Sequence, residues 1–211
     1  MQNLTEKSLK CSENKKKEKE GEEKEILRCN VKSIQFSIIY VIIQNMESIM
    51  QIIEIGLNHY EQVKGLLVDL QKYVIEIDKY KLNIISDEYR DKYFDYMLAD
   101  CNSNQGKCFV CVDGDKVLGM VAGYIEQYSE RDKLDYSCPK KGIIAELIVD
   151  KNYRKDGVGT KLLNQIEHYF KSINCKFVQI DVFASNVNAK NFYYKNGYDD
   201  RMVTVFKKLE D

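Results

Sequence analysis

Tryptophan is absent from the chain of 211 residues, and proline occurs once, as Pro139. This scarcity of proline excludes collagen-like sequences and proline-rich linkers. Long apolar runs are missing too: the longest, residues 34–43, is about half the roughly 18 residues that a membrane-spanning helix needs. It also lies too far from the first residue to be the apolar core of a signal peptide. We therefore expect no association with a membrane.

Neither sign of charge dominates. Lys and Arg number 32 and Asp and Glu number 33, which gives a formal net charge of -1. Such a balance gives no reason to expect nucleic acid as a partner. The seven cysteines are odd in number and lack the spacing of a disulfide framework, so we expect a reducing, cytoplasmic location. Cys108 and Cys111 have CxxC spacing, but residues three apart on a strand point to opposite faces, and no metal site is predicted.

Charge is concentrated near the first residue, where residues 13–25 consist almost wholly of Lys and Glu. Such a segment cannot bury enough apolar surface to offset the entropy lost on ordering. We expect residues 1–45 to form a disordered charged tail with a short apolar segment, residues 34–43. Residues 46–211 are expected to fold as one domain, and no role is assigned to the tail.

Hydrophobic periodicity predicts a mixed α/β fold in the order β-α-α-β-β-β-α-β-α-β. Predicted strands cover residues 49–55, 108–112, 117–125, 142–149, 177–182 and 198–209. Predicted helices begin near residues 58 and 87 and cover residues 160–171 and 188–196. Asp113-Gly114 is typical of a hairpin turn between the second and third strands.

A glycine-containing turn between a strand and a helix carries the first sign of function. The motif Arg154-x-x-Gly157-x-Gly159 follows the strand that ends at Val149 and opens the next helix. Glycine lets the backbone approach a ligand closely, and the free N–H groups of a helix N-terminus bind anions. The turn therefore suits a phosphate group, and Arg154 and Lys155 add positive charge.

Two well-known nucleotide loops fit this turn poorly. A Walker A loop needs Gly-Lys-Ser/Thr where this chain has Gly-Thr-Lys, and a Rossmann fingerprint needs a third glycine where Leu162 stands. Alone, the turn could also be a simple glycine-rich connection. A second motif follows the next predicted strand: Asn186-x-x-Ala189-x-x-Phe192-Tyr193-x-Lys195-x-Gly197-Tyr198.

Together, in this order and separated by one helix and one strand, the two motifs resemble the GCN5-related N-acetyltransferase (GNAT) family. The resemblance implies a mixed, mostly antiparallel central sheet that splays between the strands ending at Val149 and Val182. It also implies acetyl-CoA as cosubstrate, no metal, and direct acetyl transfer to a primary amine in a ternary complex. A small-molecule amine is favoured. Protein lysine or N-terminal amines, a catalytically silent acyl-CoA-binding regulatory domain, and a homodimer stay open.

The resemblance also assigns the cofactor-binding residues. The backbone of Leu147, Ile148 and Val149 is expected to hydrogen-bond the pantetheine arm as an added strand would. The pyrophosphate is expected to be bound by the loop residues Arg154, Lys155, Asp156, Gly157, Val158, Gly159 and Thr160. Asp156 departs from the family pattern, where a basic residue is commoner. Asn186 matches a position that contacts the cofactor from the neighbouring strand.

Acetyl transfer to an amine needs a base, because a protonated amine cannot attack a thioester. Glu146, just before the pantetheine-binding residues, is the candidate base, although it could equally be an exposed or ion-paired carboxylate. A backbone N–H near Val149 is expected to stabilise charge on the carbonyl oxygen. Tyr193 matches the family's general acid, which protonates the leaving thiolate. Its alternative role is that of a core tyrosine, and its neighbour Tyr194 is the natural control.

Overall fold

The computed structural model describes residues 50–209 of the chain. The expectations for residues 1–45 lie outside the described residues. The described part contains five strands and four α-helices in the predicted order, apart from the last predicted strand. The predicted mixed α/β class is therefore confirmed.

The elements of the chain are these. The strands are β1 (Gln51–Glu54), β2 (Lys107–Asp113), β3 (Lys116–Ile125), β4 (Lys141–Val149) and β5 (Phe177–Ile180). The helices are α1 (Tyr60–Ile77), α2 (Tyr89–Ser103), α3 (Val158–Ser172) and α4 (Val187–Lys195). Short 3-10 helices lie at Leu57–His59, Asp132–Leu134 and Lys151–Tyr153.

One five-stranded sheet has the order β1-β2-β3-β4-β5. The first four strands pair antiparallel, and β5 joins β4 in parallel. Strand β4 pairs with β3 as far as Val149, but with β5 only from Lys141 to Ile144. From Ala145 onward the two strands separate, so the predicted splay of the sheet is observed. We call this opening the β4–β5 gap.

Each face of the sheet carries its own apolar cluster. Helices α1 and α2 cover one face, where Val63, Leu67 and Phe94 are almost fully buried. Helices α3 and α4 cover the other face, where Leu162 and Phe170 are buried to the same degree. Burial of each such side chain stabilises the fold by about 1.5–3 kcal/mol. The helical periodicity in the sequence identified these faces correctly.

The last predicted strand is not formed. Residues 198–209 have no regular secondary structure, and the side chains of residues 201–209 are exposed. The strand character that predicted a strand here is not sufficient, because a strand also needs a neighbour to pair its N–H and C=O groups. The segment instead contacts the loop between α1 and α2: the Tyr80 hydroxyl donates to the Phe206 carbonyl at 2.7 Å.

Candidate active site

The free edge of β4 forms one wall of the β4–β5 gap. Leu147, Ile148 and Val149, the residues predicted to bind the pantetheine arm, all lie where β4 has left β5. Ile148 packs into the α1–α2 cluster, while Leu147 and Val149 contact the α3–α4 cluster. A strand edge without a neighbour presents N–H and C=O groups to an extended ligand. This edge therefore suits an elongated chain with amide groups.

A tight turn leads from β4 into α3. The Asp150 carboxylate accepts a hydrogen bond from the Asn152 backbone N–H at 2.9 Å, which starts the 3-10 helix. The Arg154 side chain then folds back, and its Nε donates to the Val149 carbonyl at 3.2 Å. Lys155 and Gly157 both have left-handed backbone angles, with φ of 76° and 80°. Only glycine adopts such angles without strain, which explains the glycine at position 157.

Helix α3 begins directly after this turn, at Val158, with Gly157 as its N-cap residue. The first N–H groups of a helix have no partner inside the helix, so they and the helix dipole attract anions. A β-carbon added at Gly159 would lie 3.5 Å from both Val149 Cγ2 and Phe192 Cζ. The helix N-terminus is therefore held against the end of β4 and against α4. Arg154, Lys155, Asp156 and Thr160 are exposed around it.

Asp156 was the residue that departed from the family pattern. It is exposed, and it forms no ion pair or hydrogen bond within residues 50–209. An acidic side chain in solvent does not obstruct an anion bound by the backbone N–H groups of the turn. The residues of this loop are therefore compatible with a pyrophosphate, and their role in binding one stays a prediction.

Glu146 lies on β4 opposite Ala122 of β3, at the start of the gap. Its carboxylate accepts a hydrogen bond from the Tyr93 hydroxyl of α2. Burial raises the pKa of Glu146 above its ordinary value, and the hydrogen bond from Tyr93 partly offsets this rise. None of the ion pairs formed within residues 50–209 includes Glu146. Glu146 is therefore neither exposed nor ion-paired within residues 50–209, and its role as the base stays a prediction.

Tyr193 reaches the same region from α4. Its side chain is 8% exposed and packs between the rings of Phe192 and Tyr198, whose centroids lie 5.2 and 5.6 Å away. Its hydroxyl forms no hydrogen bond within residues 50–209. Burial raises the pKa of Tyr193, and the negative charge of Glu146 raises it further. The hydroxyl therefore stays protonated, as a general acid must before it acts.

Asn186 caps α4, the helix that carries Tyr193. Its side-chain Oδ1 accepts from the Ala189 backbone N–H at 3.1 Å and from the Tyr73 hydroxyl at 3.4 Å. Asparagine is a preferred N-cap residue, and removal of such a cap typically costs about 1 kcal/mol. The spacing Asn-x-x-Ala at the start of the helix could have predicted this cap from sequence. The predicted contact between Asn186 and the cofactor stays a prediction.

Tyr89, Tyr93 and Tyr73 are site residues that sequence reasoning missed. Tyr89 and Tyr93 are one helical turn apart on α2, with rings stacked at 4.8 Å and 16°. Their spacing of four indicates a shared helix face, but tyrosines on a helix face are usually packing residues. Nothing in the sequence indicates which residue of β4 that face meets.

Residues 50–209 contain no group of three or more His, Cys, Asp or Glu side chains placed to hold a metal ion. Cys108 and Cys111 are buried on opposite faces of β2, as their spacing predicted. Among these residues, no helix is both long and apolar enough to cross a membrane.

Comparison with known proteins agrees with this geometry. The profile of the acetyltransferase (GNAT) family matches residues 73–198, which is more than half of the chain. The chain therefore belongs to the GNAT family of acetyltransferases. The matched range includes β4, the turn, α3 and the motif on α4, and thus all the predicted site residues.

Individual relatives carry related names. An uncharacterized N-acetyltransferase of Methanocaldococcus jannaschii, MJ1530, is 39% identical over 95 residues, which cover 44% of this chain and 54% of that protein. The match thus spans about half of that relative. Glucosamine 6-phosphate N-acetyltransferase of Arabidopsis thaliana is 26% identical over 120 residues, covering 57% of this chain and 78% of that protein.

Solved structures share the fold. The crystal structure of a mutant of the BH1408 protein from Bacillus halodurans superimposes with a TM-score of 0.68 at 21% identity. The superposition covers 76% of this chain and all of that protein. At this level of identity the likeness shows the GNAT fold alone.

Proposed function

We propose that this chain is an acetyl-CoA-dependent N-acetyltransferase that transfers acetyl to a primary amine by direct attack in a ternary complex. The observation that carries the proposal is the convergence of Glu146 and Tyr193. The two side chains come from different elements, and the charge of Glu146 raises the pKa of Tyr193, so the two groups lie within electrostatic range of each other. A base and an acid are the two groups that this reaction requires.

The β4–β5 gap and the turn before α3 suit the two parts of CoA. The backbone of Leu147, Ile148 and Val149 would hydrogen-bond the amides of the pantetheine arm. The turn of residues 154–160 would hold the pyrophosphate through the backbone N–H groups at the start of α3, with Asn186 beside it. Bound acetyl-CoA supplies the acetyl group as an activated thioester.

The proposed mechanism assigns one residue to each of the two proton transfers. Glu146 accepts a proton from the attacking amine, directly or through one water, as the C–N bond forms. A backbone N–H near Val149 stabilises the charge that develops on the carbonyl oxygen. Tyr193 donates its proton to the sulfur as the C–S bond breaks. The raised pKa of Glu146 favours its role, since a base must hold a proton well. Burial keeps Tyr193 protonated before the reaction, as a proton donor must be.

A small-molecule amine is the favoured acceptor. The name of the Arabidopsis relative, glucosamine 6-phosphate N-acetyltransferase, supports this choice, because an amino sugar phosphate is a small amine. A protein amino group is the second possibility within the same chemistry. A catalytically silent acyl-CoA-binding domain is the alternative of a different class, and the pairing of Glu146 with Tyr193 favours the enzyme over it.

The experiment measures the release of free CoA thiol from acetyl-CoA across a panel of amines. The panel holds polyamines, amino acids, aminoglycosides, glucosamine 6-phosphate and short lysine peptides, with a blank that lacks an acceptor. We expect a rate above the blank for one class of small amine. Activity confined to the peptides would replace the small-molecule acceptor by a protein one. Silence across the panel, with acetyl-CoA binding confirmed in the same sample, would refute the enzyme and favour the regulatory domain.

A further inference from the structure

Tyr93 is the hydrogen-bond donor that the described residues offer to the Glu146 carboxylate. The Tyr93 hydroxyl of α2 donates to Glu146 Oε1. The second oxygen, Oε2, accepts no hydrogen bond within residues 50–209 and is not sealed from solvent. One oxygen is thus fixed by the protein, and the other is left free of hydrogen bonds from the described residues.

The position of Tyr93 is itself fixed. Its ring stacks on that of Tyr89, with centroids 4.8 Å apart and planes inclined by 16°. It also packs against the buried cluster beneath α1 and α2. A stacked aromatic pair of this kind has few alternative rotamers, so the Tyr93 hydroxyl stays directed at β4.

The titratable groups near Glu146 are tyrosines, and Tyr93 among them stays protonated and can donate its hydrogen bond. From α2 they are Tyr89 and Tyr93, from α4 Tyr193, and from β3 Tyr124, which lies near Tyr93. Burial first and the Glu146 charge second raise the pKa of Tyr89 to about 12 and that of Tyr93 still higher. All four groups are tyrosines, and no cation among the described residues forms an ion pair with the carboxylate.

We propose that Tyr93 is a positioning residue for the acetyl transfer: its hydroxyl holds Glu146 Oε1 so that Oε2 faces the acceptor amine. This inference rests on the proposed function, in which Glu146 is the base. The hydrogen bond also stabilises the ionised carboxylate, so Tyr93 keeps the base in its active form at lower pH than burial alone would allow.

The test is the pH dependence of kcat/KM for Tyr93→Phe, which keeps the ring and removes the hydroxyl. Without the donor, the ionised form of Glu146 is less stable, its pKa rises, and the acidic limb of the profile moves to higher pH. A hydrogen bond to a charged group corresponds to a shift of about one unit or more. At pH values below the acidic limb, kcat/KM of the variant is then about tenfold lower than that of the wild type, while the KM for acetyl-CoA stays the same.

Two further variants make the result interpretable. Tyr96→Phe is the matched control, because Tyr96 lies on the same helix and is 67% exposed; its profile should equal that of the wild type. Glu146→Gln should remove the acidic limb altogether. If that limb persists, Glu146 is not the base and the proposed mechanism fails together with this inference. If the limb depends on Glu146 but Tyr93→Phe leaves it in place, the inference about Tyr93 alone is overturned.

A second readout needs no activity. The carboxyl carbon of Glu146 can be titrated by 13C NMR in the wild type and in Tyr93→Phe, with Glu146→Gln used to assign the signal. A higher pKa in Tyr93→Phe supports the inference, and an equal pKa in folded protein overturns it. Failure of the amine panel would thus be distinguished from failure of the Tyr93–Glu146 interaction.

Discussion

Replacement of Tyr193 by phenylalanine tests the proposed general acid. The ring of Tyr193 is 8% exposed and packs between Phe192 and Tyr198, so phenylalanine keeps every ring contact. The hydroxyl forms no hydrogen bond within residues 50–209, and its removal leaves no described partner unsatisfied. The free energy of unfolding should therefore change by no more than about 0.5 kcal/mol. Any loss of turnover can then be attributed to the missing proton donor.

The magnitude follows from the proton that the hydroxyl supplies. Positioned acids and bases typically contribute about 10²–10⁴-fold to a rate. A thiolate is a fair leaving group without help, since an ordinary thiol has a pKa of about 8.5. We therefore expect the loss to be smaller than is typical, with turnover lowered at least about tenfold. A tenfold loss corresponds to about 1.4 kcal/mol of transition-state stabilisation.

The assay is the release of CoA thiol at saturating acceptor, with acetyl-CoA affinity measured separately by calorimetry. Turnover should fall while acetyl-CoA affinity stays nearly unchanged, because the hydroxyl acts on the leaving sulfur. Tyr194→Phe is the matched control: Tyr194 is the next residue, is 43% exposed, and contacts Lys190 rather than the gap. An unchanged turnover number in Tyr193→Phe would refute the assignment of Tyr193 as the acid.

Two predictions concern stability. The Asp78 carboxylate accepts four hydrogen bonds from residues 80–83. These bonds lower the pKa of Asp78 to about 2, and the bond from the Tyr80 backbone N–H has the largest effect. The stability this adds is complete above the ordinary pKa of about 3.9 and is lost as pH falls toward 2. The urea midpoints of wild type and Asp78→Asn should therefore differ at pH 7 and converge below pH 4, and a constant difference would contradict this. Lys141, whose side chain is 8% exposed, pairs with Glu126 at 2.7 Å. In urea unfolding, Lys141→Ala should lower the free energy of unfolding by about 3 kcal/mol, because it leaves the Glu126 carboxylate without its partner. Lys133→Ala, which removes an exposed ion pair, should lower it by less than about 1 kcal/mol. Equal losses would contradict a stabilising role for the buried pair.

The order of elements could be predicted from sequence because it depends on local patterns. Apolar residues at helical spacing identified the buried face of α1, and two apolar runs joined by a turn at Asp113-Gly114 identified the β2–β3 hairpin. A similar local pattern failed at residues 198–209, which have strand character but form no strand. Strand formation depends on a neighbouring edge, and a local pattern contains no information about which edge is available.

The site could be predicted in part for the same reason. The turn before α3 and the motif on α4 are local, so Gly157 could be identified from its place in the turn, and the resemblance to the family motif pointed to Asn186 and Tyr193. The residues that surround Glu146 could not be predicted from the sequence. The contact with Tyr93 joins two residues of distant elements, and it depends on how α2 lies across the sheet. Burial of Glu146, and with it the direction of its pKa shift, likewise depends on the assembled fold.

The position of the gap explains why the proposed acid and base can act together. A continuous sheet separates the side chains of its two faces, and here Glu146 contacts the α1–α2 side while Tyr193 belongs to the α3–α4 cluster. Where β4 leaves β5 this separation ends, which is what the proposed mechanism needs if one substrate is to contact both groups. The two environments keep the protonation states distinct: the Tyr193 pKa is raised far above neutrality, while the hydrogen bond from Tyr93 restrains the rise at Glu146. The hydrogen bond from Tyr93 favours the ionised carboxylate and burial favours the protonated phenol, which is the pairing that the proposed acetyl transfer requires.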